Sequence, residues 1–68
     1  MYQKLSDCIN KRVRMAPTAG SCESWYRHIE YTITILFEID TITEEEMDDL
    51  TGELIYSYTL RLRELKRG

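Results

Sequence analysis

Between Cys22 and Asp40 the apolar residues follow two periods at once, and the one the backbone adopts decides the fold. From Ile29 onward the odd positions Ile29, Tyr31, Ile33, Ile35, Phe37 and Ile39 are apolar, and the even ones are polar apart from Leu36. That alternation, rich in Ile and Thr, is the pattern of a half-buried strand. Over the longer window, at about 100° per residue, Cys22, Tyr26, Ile29, Ile33, Leu36 and Phe37 gather on one face with Trp25 at its margin. Glu23, Arg27, Glu30, Thr34, Glu38 and Thr41 then form a separate polar stripe. A strand leaves the stretch before Ile29 unexplained, whereas a helix organises all of it. The expected element is a helix over about 22–40.

Local signals on both sides agree. Upstream, Ala16-Pro17-Thr18-Ala19-Gly20-Ser21 contains the only proline, a helix breaker, and reads as a loop over 15–21. Ser21 is the expected N-cap of the helix that follows, with Glu23 in its first turn complementing the dipole. Downstream, after a turn at 41–43, Thr43-Glu44-Glu45-Glu46 has the form of a capping box. The Thr hydroxyl accepts from the N3 amide and the Glu at N3 reaches back to the cap. The helix it opens, over about 44–66, carries Met47, Leu50, Leu54, Tyr58, Leu62 and Leu65 on one side, with Ile55 adjacent and a cationic last turn. Gly52 costs that helix about 1 kcal/mol relative to Ala. It marks either a close helix contact or a failure of the assignment. In the second case Leu54, Tyr56, Tyr58, Leu60 and Leu62 form another alternating strand and the fold becomes small α+β. Tyr2, Leu5, Ile9 and Val13, spaced by three, four and four, predict a short amphipathic helix over about 2–14. The expectation is thus a single all-α domain over 1–68, a short N-terminal helix followed by a two-helix antiparallel hairpin.

A core this small rarely contributes more than ~3–5 kcal/mol, which directs attention to apolar groups the hairpin does not cover. His28, Tyr31, Ile35, Ile39 and Ile42 form a second stripe roughly opposite Ile33. A helix apolar on two sides needs cover on two sides. Tyr31, Ile35 and Ile39 are therefore the expected dimer interface, joining two hairpins into a four-helix core with the first helices as flanking arms. A three-helix bundle of one chain is the alternative. Tyr56 and Leu60, one turn apart on the third helix, ask for cover in the same way.

Charge is sorted along the chain. Residues 1–27 carry Lys4, Lys11, Arg12, Arg14 and Arg27 against Asp7 and Glu23; residues 28–60 carry nine acids and no Lys or Arg; the last eight return Arg61, Arg63, Lys66 and Arg67 against Glu64. Folded as a hairpin, the chain becomes a rod with an anionic tip and a cationic base, each able to attract a different partner. Glu44, Glu45, Glu46, Asp48 and Asp49, with Tyr56 and Leu60, are the expected contacts to a protein with a basic surface. The alternative is a dimeric hairpin regulator that binds RNA or DNA through Arg12, Arg14, Arg61, Arg63, Lys66 and Arg67.

Chemistry beyond binding is not legible. His28 has no nucleophile at a suitable spacing, Gly20 and Gly52 stand alone, and the acids crowd a turn instead of a cleft. Cys8, Cys22 and His28 fall short of a zinc-ligand spacing. No catalytic, cofactor or metal site is expected, and no membrane span. With no charged-then-apolar leader before Cys8, the cytoplasm is the expected compartment and both cysteines read as reduced packing residues. The rings of Trp25, Tyr26 and Tyr31 near Arg27 are expected in core or interface use. Short chains without catalytic features are frequent among phage and mobile-element accessory genes. That sets the functional expectation: a non-enzymatic binding protein that inhibits or modulates a host macromolecule.

Overall fold

The computed structural model describes residues 2–67, and among them every regular element is helical. Helix α1, Tyr2–Cys8, continues without a break into a π-helical segment, Ile9–Val13. Helix α2 spans Ala19–Glu38 and helix α3 spans Glu44–Arg67. The helices α2 and α3 form the expected antiparallel hairpin, within a rod of 40 × 16 × 14 Å.

The strand-like composition of α2 is accommodated by its threonines. Thr32 donates to the His28 carbonyl at 2.9 Å and Thr34 to that of Glu30 at 3.1 Å, so each hydroxyl finds a partner one turn back within the helix. Burial then follows the 3.6-residue period, with Cys22, Ile29 and Ile33 inside and Tyr31 and Ile39 outside. The start differs from the expected one. Thr18, in extended backbone, is the N-cap, and its hydroxyl accepts from the Ser21 amide at 3.1 Å, so Ser21 is the capped residue and not the cap. Glu23 consequently lies beyond the first turn and pairs with Arg27 at 3.0 Å.

The helix ends two residues before the expected Asp40. Asp40 takes φ 57°, the Asp40 amide donates to Phe37 at 3.1 Å and the Thr41 amide to Leu36 at 2.8 Å, which is a Schellman closure with Asp in the place usually held by Gly. This reversal folds Ile42 inward to 5% exposure, so Ile42 belongs to the core and not to the outer stripe of α2. The capping box then forms as read. The Thr43 amide donates to Glu46 Oε1 at 2.9 Å and the Glu46 amide to Thr43 Oγ1 at 3.1 Å.

Leu5 of α1 and Ile9 and Val13 of the π-helical segment recur every four residues, and in an α-helix that interval overshoots a full turn by roughly 40° each time. Wider π winding over Ile9–Val13, closed by the Arg14 amide on the Ile9 carbonyl at 3.1 Å, reduces the drift and keeps Ile9 and Val13 on one line, both fully buried. The N-terminal helix is thus built into the core rather than lying as a flanking arm. It runs parallel to α3. Ser6 and Asn10 both donate to Glu53 Oε1, at 2.8 and 3.4 Å; further toward the base, Arg14 is bidentate to Glu64. Arg61 completes the clamp through Nε to the Ala16 carbonyl at 2.7 Å. The core joins Leu5, Ile9, Val13, Ala16, Cys22, Ile29, Ile33, Ile42, Leu50 and Leu54. Each large side chain so buried contributes about 1.5–3 kcal/mol. Gly52 is exposed and a Cβ there would meet nothing within 4 Å, so it marks no helix contact. Ile55, expected beside the core, is 48% exposed.

Candidate interaction surface on the third helix

Helical spacing puts Glu45, Asp49, Tyr56, Leu60 and Arg63 on one face of α3, because the steps of four, seven, four and three all return to the same side. That face points away from the core: Glu45, Asp49 and Arg63 are exposed, Leu60 is half-buried and Tyr56 is 67% exposed. From N- to C-terminus it therefore reads acidic, apolar, basic. Tyr56, Thr59, Leu60 and Arg63 line a shallow depression of about 100 Å³. A neighbouring one of about 260 Å³, lined by Thr59, Leu62, Arg63 and Lys66, extends it toward the base.

The expected acidic set divides into two uses. Glu44, Glu45, Asp48 and Asp49 are exposed, whereas Glu46 is half-buried and holds the capping box. The expected basic set divides as well. Arg14 and Arg61 converge on Glu64 from two elements, and Arg61 also holds the Ala16 carbonyl. Arg12 stacks over Trp25 at 5.1 Å, a contact between elements that no local spacing announces. Arg63, Lys66 and Arg67 remain exposed at the base. Glu64, hydrogen-bonded by Arg14 and near Arg61, has its pKa held below the ordinary carboxylate value.

The outer face of α2 lies on the opposite side of the hairpin. Tyr31 and Ile39 are 67% and 63% exposed and Ile35 is half-buried between them. At the base end of that face, Ser24, Trp25 and His28 line a depression of about 230 Å³, where the His28 ring stands edge-on to Trp25 at 5.6 Å. His28 is exposed on this surface, and Tyr26 faces the other way, stacked on Tyr58 at 4.3 Å within the hairpin seam.

The remaining polar chemistry is internal. Cys22 is buried and its thiol approaches the Val13 carbonyl at 3.6 Å; burial raises its pKa, against a smaller opposing pull from Arg61. Cys8 and Cys22 are both free thiols. Among the described residues no buried side-chain polar atom lacks a partner, no three His, Cys, Asp or Glu side chains group as metal ligands, and no helix is long and apolar enough to cross a membrane. Comparison with protein-family models, with curated proteins and with solved structures finds no match.

Proposed function

We propose that this chain is a stoichiometric protein-binding module, an adaptor or inhibitor that docks a basic partner along the outer face of α3. The observation that carries this reading is the exposed Tyr56, flanked by Leu60, on a face that runs from Glu45 and Asp49 at one end to Arg63 at the other. Exposed acids attract the partner once it comes within about a Debye length, roughly 8 Å at physiological salt, and orient it. The Tyr56 ring and Leu60 then supply the desolvated anchor, the kind of group that dominates binding energy at protein interfaces. Nucleic-acid binding receives less support, since Arg14 and Arg61 are engaged within the fold and Arg12 lies on Trp25.

The test is quantitative capture from cells with the tagged chain, followed by kinetics on the purified partner. Changing Glu45, Asp48 and Asp49 to Lys should lower the association rate roughly tenfold at low salt, and the deficit should shrink as salt is added. Tyr56→Ala with Leu60→Ala should instead speed dissociation. Glu46 is left untouched because it caps α3. A partner whose binding ignores both sets of changes would end this reading. Capture of RNA or DNA that depends on Arg63 and Lys66 would replace it with the nucleic-acid one.

A further inference from the structure

The outer face of α2 carries a depression near one end and an exposed aliphatic side chain near the other. At its base end lies the depression lined by Ser24, Trp25 and His28, and at its tip end stands the exposed Ile39, with Tyr31 and Ile35 between them. Helical spacing keeps Ser24, His28, Tyr31, Ile35 and Ile39 on one side of α2, by steps of four, three, four and four. The length from Ser24 to Ile39 is about 22 Å at 1.5 Å per residue.

We propose that this face pairs with the same face of a second copy, antiparallel about a two-fold axis near Thr32, so that Ile39 of each copy seats in the Ser24–Trp25–His28 depression of the other. Tyr31 and Ile35 of the two copies interleave at the axis. Charge selects this direction. Glu38 and Asp40 are the chain neighbours of Ile39, and Arg27, beside His28 of the depression, is paired with Glu23 on its own helix yet exposed enough for a second carboxylate to share it, with Arg12 over the Trp25 wall. Antiparallel pairing brings Glu38 of one copy beside Arg27 of the other, twice. A parallel pair would set acid against acid and cation against cation. Glu38 and Arg27 also lie on the same flank of the stripe, as two-fold antiparallel helices require for their edge residues to meet. The α3 helices remain outside with their acidic ends pointing in opposite directions, so the surface proposed for a protein partner stays open in both copies.

One helix face per copy places the pair at the small end of specific interfaces, where about 1,000 Å² of total buried area is the usual lower bound. Dimerisation is accordingly expected at roughly tens to hundreds of micromolar. Sedimentation equilibrium of the purified chain up to about a millimolar measures it. The wild type should dimerise, and Ile39→Asp should weaken dimerisation roughly tenfold or more. Helical circular dichroism should not change, because Ile39 is exposed within one chain. Glu38→Arg and Arg27→Glu, both at exposed positions, should each weaken self-association. An equimolar mixture of these two variants should recover it, since each then offers the charge the other lacks. A monomer at every concentration overturns the proposal, as does a dimer indifferent to Ile39→Asp, or a mixture that associates no better than either variant alone. These variants lie on α2, so the result is independent of binding along α3.

Discussion

Asp40 sustains a backbone conformation that side chains with a Cβ adopt only at a cost, and the closure of α2 depends on it. Asp is among the residues that tolerate this region because its short polar side chain can bond locally, yet glycine tolerates it better. Asp40→Gly is expected to raise unfolding stability by about 0.5–1 kcal/mol, or a few degrees in the thermal midpoint of a domain this small. Gly52→Ala should add about 1 kcal/mol, since it improves helix propensity and the new methyl meets nothing. Thermal unfolding of both variants checks this, and a loss of stability at Gly52 would contradict the open space around it. Legibility at this scale followed range. The Thr43–Glu46 box was readable because both partners lie within one turn. The Schellman turn is not, because it lacks the usual Gly, and Thr18 is masked by Ser21, which offers the same cap chemistry three residues later.

The N-terminal helix shows how an element can be read correctly and its role missed. Its spacing of three, four and four was visible, but the π winding that turns those positions onto one line is a response to packing against α2 and α3. Its attachment to α3 runs through Glu53 and Glu64, one contact apolar periodicity cannot see and one whose cations, Arg14 and Arg61, lie 47 positions apart in the chain. The pH dependence follows from Glu64, whose folded pKa lies below its unfolded value. The stabilisation is therefore present above the ordinary Glu value of about 4.3 and is lost as pH falls from there through the lowered folded value. Trp25, the only tryptophan, carries Arg12 of the π segment on its face and reports this. Its fluorescence should change on acidification, and Glu64→Gln should remove part of that change. If the wild type and Glu64→Gln acidify identically, the Arg14–Glu64 link does not hold the N-terminal helix.

At the scale of the whole molecule, charge order along the chain translated directly into poles, because a hairpin with one turn leaves residues 28–60 concentrated toward one end of a 40 Å rod. The third layer was harder to foresee. Ser6 meets Glu53 and Tyr2 lies one turn beyond, so the last turn of the hairpin, around Ile42 and Met47, is covered by two helices while Ile29 and Leu54 sit where three converge. Native-state hydrogen exchange should rank amide protection accordingly, highest near Ile29, Ile33 and Leu54 and lowest between Phe37 and Met47. Uniform protection along the rod would show that the N-terminal helix adds nothing to the layers it covers. The end covered by two helices is also the anionic one, so a visitor drawn in by its field first meets a lip held by hydrogen-bonded caps, with the braced half of the molecule behind it.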